Sequence, residues 1–175
     1  MNMRFISVLL ASILLISYPT TVAAQSIALS SSQIELISAY CTEAKGHLER
    51  LHSADALQRV NLGQRYENIS TKLMAPLNSR IALAGHDGLD LTKTAIEFNQ
   101  ELTNFRKIYL KYDNQIDDII HMDCKDQPVE FYQQLEESRE KRQELSDSVS
   151  RLGELIERYQ AEFESYAANT NQGAQ

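Results

Sequence analysis

The sequence has no surplus of positive charge: 17 lysines and arginines stand against 24 aspartates and glutamates, a net charge of −7. Binding a run of phosphates needs a positive stripe, so this balance argues against nucleic acid and against docking on anionic lipid. Glycine is scarce, with six in 175 residues, and none builds a Gly-rich phosphate loop or a Gly-x-Ser-x-Gly elbow. The two cysteines form no Cys-x-x-Cys, and the four histidines form no His-Glu-x-x-His. His47 and His52 lie about 140° apart round a helix, which keeps them from sharing a metal easily. Carboxylates are plentiful, but they fall on outward faces with no apolar pocket to raise a pKa. Together these absences predict a protein that is not an enzyme and carries no cofactor.

What the sequence does contain begins with a leader. Met1-Asn2-Met3-Arg4 is a short basic start, Phe5 to Ile16 is almost wholly apolar, and Val22-Ala23-Ala24 supplies small residues. This is the pattern of a signal peptide over 1–24, cleaved before Gln25. The apolar stretch is shorter than the roughly 20 residues needed to span a bilayer, and an uncleaved anchor is the alternative. After cleavage the chain loses Arg4 and its charge goes from −7 to −8. No later segment is apolar enough to cross a membrane, so the expected location is extracytoplasmic, periplasmic or secreted.

Two apolar stripes dominate the rest. The first runs Leu91, Ala95, Phe98, Leu102, Phe105, Tyr109, Tyr112, Ile116 and Ile119. The second runs Phe131, Leu135, Leu145, Val149, Leu152, Ile156, Tyr159, Phe163 and Tyr166, with Ser138 and Arg142 on two missing beats. Steps of four and three are the spacing of one buried seam along a supercoiled helix. A third seam runs Ile34, Ile37, Cys41, Ala44, Leu48 and Leu51, then meets Asp55 and Gln58, and resumes from Leu62 and Tyr66 through Ile69, Leu73, Leu77 and Ile81. The failure at Asp55 predicts a break or bend over His52–Asp55, with Ser53 or Asp55 capping a fresh start. Pro76 predicts a kink about a turn upstream, because it cannot donate to the residue 72 carbonyl.

Ala84-Gly85-His86-Asp87-Gly88 is a clear helix stop, and Pro128 fits the first turn of the last helix. Short connections make neighbouring helices antiparallel. The predicted fold is all-α: an elongated, antiparallel, coiled-coil-like three-helix bundle with an extra bent N-terminal helix. Residues 25–31 are a flexible lead-in, 32–166 the bundle and 167–175 a disordered tail. Seams satisfied by another chain are the alternative.

Antiparallel pairing also predicts levels. With turns centred near residues 87 and 126, partner numbers add to about 175 across the first pair of helices and about 252 across the second. Arg142 then falls level with Tyr109, Tyr112 and Tyr66, with Ser138 on the neighbouring beat and Glu67 and Asp113 as candidate charge partners. An arginine on a seam must find acceptors or reach water. A register-setting polar layer is the favoured reading, and a small polar pocket between helices is the alternative.

A lone pair of cysteines in an exported chain most often forms one disulfide. Cys41–Cys124 would close 124 − 41 = 83 residues. Two free thiols, or a metal site using His121 and Cys124, are the alternatives. On a straight first helix Cys41 overshoots Cys124 by about ten residues, roughly 15 Å, far beyond disulfide reach. Either the first helix bends at His52–Asp55 and lies across the end of the bundle, or the 122–127 corner reaches down; the lost beats at Asp55 and Gln58 favour the bend.

Three stretches, Ala39-Tyr40-Cys41, Thr71-Lys72-Leu73-Met74-Ala75-Pro76-Leu77-Asn78-Ser79-Arg80 and Asp123-Cys124-Lys125-Asp126-Gln127-Pro128-Val129-Glu130-Phe131-Tyr132, resemble a family of uncharacterised exported helical proteins of bacteria. The resemblance covers most of the mature chain. It implies an envelope or extracellular location and implies no activity, so no functional residues are carried over from it. In outline the rod is also similar to periplasmic helical chaperones, but it lacks their signatures and the basic surface that some of them use. The functional expectation is a structural or protein-binding component whose partner is another protein of the envelope or cell surface. A small-ligand or metal-binding module, and a chaperone-like holdase, are the alternatives.

Overall fold

The computed structural model describes residues 29–172; the leader and most of the lead-in lie outside them. The chain is a helical bundle: α1 (Ser31–Ala39), α2 (Cys41–Asn68), a π-helical turn (Ile69–Met74), α3 (Ala75–Leu83), α4 (Leu89–His121) and α5 (Pro128–Gln172). No strand occurs among the described residues. Ser30 caps α1 in a reciprocal box with Gln33, which satisfies two of the backbone N–H groups that a helix start leaves over. α5 continues to Gln172, so the expected tail is helical over 167–172, and 173–175 lie outside the description.

α4 is the central element, and all nine of its seam residues are buried. Around it the core forms two clusters, one of Tyr66, Phe98, Phe105 and Tyr159 towards the first turn, the other of Leu48, Tyr112, Ile119 and Phe131 towards the corner. α4 packs closely on both α2 and α5, whereas no Cα of α2 comes within 8 Å of one in α5.

The expected break at His52–Asp55 is absent. α2 is continuous from Cys41 through Asn68, and the Ser53 hydroxyl donates back to the Glu49 carbonyl within the helix instead of capping a new one. The discontinuity falls at Tyr40 and is slight: Tyr40 N–H still reaches Leu36 O at 3.0 Å, and Ala44 N–H reaches Tyr40 O at 2.9 Å. The polar beat at Asp55 is an inward-facing side chain of an intact helix.

Proline does act where expected, through a π turn. Ala75 N–H bonds to Ser70 O, five residues back. The wider turn ends just before Pro76, which cannot supply the next α-type hydrogen bond. One residue is thereby inserted into the seam and the phase shifts. Leu73, expected inside, is 62% exposed, while Met74 is 2% exposed. Met74→Ala should therefore cost roughly 2–5 kcal/mol, and Leu73→Ala should stay within about 0.5 kcal/mol of the parent in urea unfolding. The reverse order would restore the uninterrupted seam.

The first turn closes as a Schellman motif: His86 N–H reaches Ile81 O at 3.2 Å and Gly85 N–H reaches Ala82 O at 3.1 Å, with Gly85 at φ 73°. Gly88 lies so close to Ile81 that a Cβ there would sit 2.7 Å from its Cγ2. At the corner, Asp123 Oδ1 accepts from Lys125 N–H and Asp126 N–H, and Pro128 opens α5.

The register between α2 and α4 differs from the sequence estimate. His52 meets Asp113 and Asn78 meets the Leu91 carbonyl, so partner numbers add to 165 and 169, not 175. The fold-back of residues 86–88 against Ile81 moves the turn's centre towards α3, and the π turn packs more residues into the same axial length. On α4 and α5, Glu101 meets Ser148 and Arg151, pairs that add to 249 and 252. The corrected register places Cys41 beside Cys124 without a bend. The disulfide is formed, with a Cα–Cα distance of 5.6 Å, and Ser38 of α1 donates to the Lys125 carbonyl next to it.

Candidate functional site

Halfway along the bundle the apolar core gives way to linked polar side chains. Asp55 on α2 accepts from Tyr112 OH on α4 at 2.6 Å and from both Nε and Nη2 of Arg142 on α5, at 3.0 and 3.1 Å. One carboxylate thus joins three helices, with the planar guanidinium fork matching its two oxygens. One turn of α2 earlier, His52 Nε2 meets Asp113 Oδ1 at 2.9 Å, and that same oxygen accepts from Tyr109 OH at 2.6 Å. The Arg59 guanidinium lies over the Tyr109 ring, 4.0 Å from its centroid, at a distance where a cation is drawn to the ring face.

The electrostatics follow from burial and these bonds. Burial, with the Asp113 hydrogen bond and charge, pushes the Tyr109 hydroxyl up to about 12. Burial and Asp55 raise Tyr112 likewise. Burial opposes ionisation of Asp113, but hydrogen bonds from Tyr109 and His52 outweigh it and hold the carboxyl below its ordinary range. The hydrogen bond to Asp55 raises Arg142. Because the folded tyrosines titrate above their unfolded value of about 10, their contribution to stability is complete below pH 10 and is lost as pH climbs towards the folded value. Phenolate absorbance should therefore show a late fraction of the tyrosines appearing together with loss of helical circular dichroism. Complete ionisation near pH 10 with the helix intact would show that the two hydroxyls are not held in this way.

Of the residues expected in this layer, Arg142, Tyr109, Tyr112 and Asp113 come together. Tyr66 does not: it packs edge-on against Phe98 and Phe105, with ring centroids 6.2 and 5.9 Å away. Ser138 is buried, but its hydroxyl turns back to the Leu135 carbonyl. Glu67 pairs with Arg106 in the half-exposed zone. The residues missed are Asp55, His52 and Arg59. Asp55 had a legible signal, since it occupies a seam beat and a carboxylate there can be a layer as well as a break.

The corner offers no metal site of the kind considered. The Cys124 sulfur is bonded to Cys41, and His121 Nδ1 meets its own helix at the Asp117 carbonyl. Among the described residues no cluster of three His, Cys, Asp or Glu side chains is disposed to hold a metal. Asn68-Ile69-Ser70 has the sequence pattern of a glycan acceptor; it lies at the junction of α2 and the π turn, where Ser70 is buried and donates to Asn99.

Comparison with family models, curated proteins and solved structures finds no match to this chain. The layer can do two things chemically. It penalises axial slippage, because any shift leaves the Asp55 carboxylate and the Tyr112 hydroxyl without partners inside the bundle. It also brings guanidinium groups to the edge of the gap between α2 and α5, where a cleft of about 500 Å³ opens beside Asp55, Arg59 and Arg142.

Proposed function

We propose that the protein is exported, cleaved after its leader, and works without catalysis as a rigid helical component that binds another protein of the envelope or cell surface. The carrying observation is the Cys41–Cys124 disulfide. Such bonds persist in oxidising compartments outside the cytoplasm, and this one fastens the start of the chain to the far corner. In this reading the mature body is an elongated three-helix rod, about 70 Å long over α5 at 1.5 Å per residue. Its Asp55–Tyr112–Arg142 linkage sets register between the helices.

The reading is tested by fractionation and thiol labelling in intact cells, followed by crosslinking. The expected result is an extracytoplasmic protein, shortened at its N-terminus, whose thiols label only after reduction and which crosslinks to one recurring partner. Labelling of both thiols without reduction, or repeated recovery of the protein alone, would overturn it.

A further inference from the structure

We propose that the cleft between α2 and α5 binds a small amphiphile carrying one carboxylate. The gap exists because α4 holds the two helices apart, and its volume, about 500 Å³, lies in the range of ordinary small-ligand sites, roughly 300–1,000 Å³. Its apolar wall is built from Leu62, Phe105, Leu145 and Val149. An alkyl or aryl body laid on that wall loses water without meeting unsatisfied polar groups.

The polar side of the cleft carries the opposite character to the protein as a whole. Arg59, Arg139 and Arg142 line it against one carboxylate, Asp55. Asp55 balances Arg142 and Glu136 balances Arg139, which leaves Arg59 as the lining cation that no ion pair balances among the described residues, in a chain whose net charge is −7. Asp55 is already engaged by Arg142 and Tyr112, so it adds little repulsion to an incoming anion. Arg139 is paired outside the cleft with Glu136.

Arg59 is the distinctive member. It is half-buried, and among the described residues it makes no ion pair and no side-chain hydrogen bond. Its guanidinium carbon lies over the Tyr109 ring, and no side chain among the described residues accepts from its N–H groups. A half-buried guanidinium with unused donors is suited to a carboxylate, which it binds through two parallel hydrogen bonds. A site for a neutral amphiphile would have no use for it, and a cationic one would be repelled.

The test uses the mature chain and three probes sharing one alkyl length: dodecanoate and dodecyltrimethylammonium, each below its micelle concentration, and dodecanol below its solubility limit. Titration calorimetry should show 1:1 binding of dodecanoate, at least tenfold weaker binding of dodecanol and none of the ammonium. Methyl shifts should fall on Leu62, Leu145 and Val149. Arg59→Gln should weaken dodecanoate at least tenfold while the chain stays helical and melts cooperatively, its midpoint lowered only by the lost contact with Tyr109. Ser146→Trp, at an exposed lining position, should block the cleft without touching the core. Equal affinity for dodecanol and dodecanoate would overturn the proposal, as would parent-like binding by both variants or no saturable binding of dodecanoate.

Discussion

Reducing the Cys41–Cys124 disulfide, or replacing both cysteines with alanine, should destabilise the protein as much as the largest single core truncations away from it. The bond spans 83 residues, and a loop of that length corresponds to roughly 4–5 kcal/mol of lost chain entropy in the unfolded state. Local structure decides how the loss is distributed. α1 has no buried residue of its own, and its side-chain bond to the corner, Ser38 to Lys125 O, is exposed. Reduction should therefore release α1 and the first turns of α2 at little cost, while α4 and α5 stay folded. Hydrogen exchange should speed up first over 31–48, and guanidinium unfolding should show a lower midpoint with a less cooperative start. Coincident unfolding curves for oxidised and reduced protein would mean that the bond fastens nothing the helices do not already hold.

Asp55→Ala should be the most costly substitution among the charged residues of the mid-bundle layer, about 2–3 kcal/mol. Tyr112 is fully buried, and without Asp55 its hydroxyl donor has no acceptor, a loss of roughly 1–3 kcal/mol. Arg142 adds less, because its side chain is 51% exposed and can turn to water. The sign is the informative part. Were Asp55 a helix break, alanine would improve the helix and raise stability by up to about 0.7 kcal/mol. Asp55→Asn, which keeps an acceptor, should recover part of the loss. In a double-mutant cycle with Tyr112→Phe the pair should couple by about 1 kcal/mol or more. A neutral or stabilising Asp55→Ala would remove the layer as a register device.

These two expectations rest on different kinds of information. The pairing of Cys41 with Cys124 was readable from composition and from the apolar leader. Its feasibility was not, because the register estimate put the two about 15 Å apart along the axis. The α4 seam was legible to the residue, and so were the glycine stop after α3 and proline at the head of α5. Each of these depends on groups within a turn or two of one another: side-chain phase round one helix, a positive φ at Gly85, a missing N–H at Pro128.

What the sequence by itself determined, then, is the inward face of α4 and the two turns that part α3 from α4 and α4 from α5. Only the tertiary structure decided how far the helices slide past one another, that the third seam steps from Leu73 to Met74, and that α2 runs straight through Asp55. The physical reason is that periodicity records angle and not axial position. A polar residue on an apolar beat reads identically as a break or as a buried partner until its acceptors and donors are known. For Asp55 those are Tyr112 and Arg142, 57 and 87 residues away. No local propensity can anticipate a bond to them.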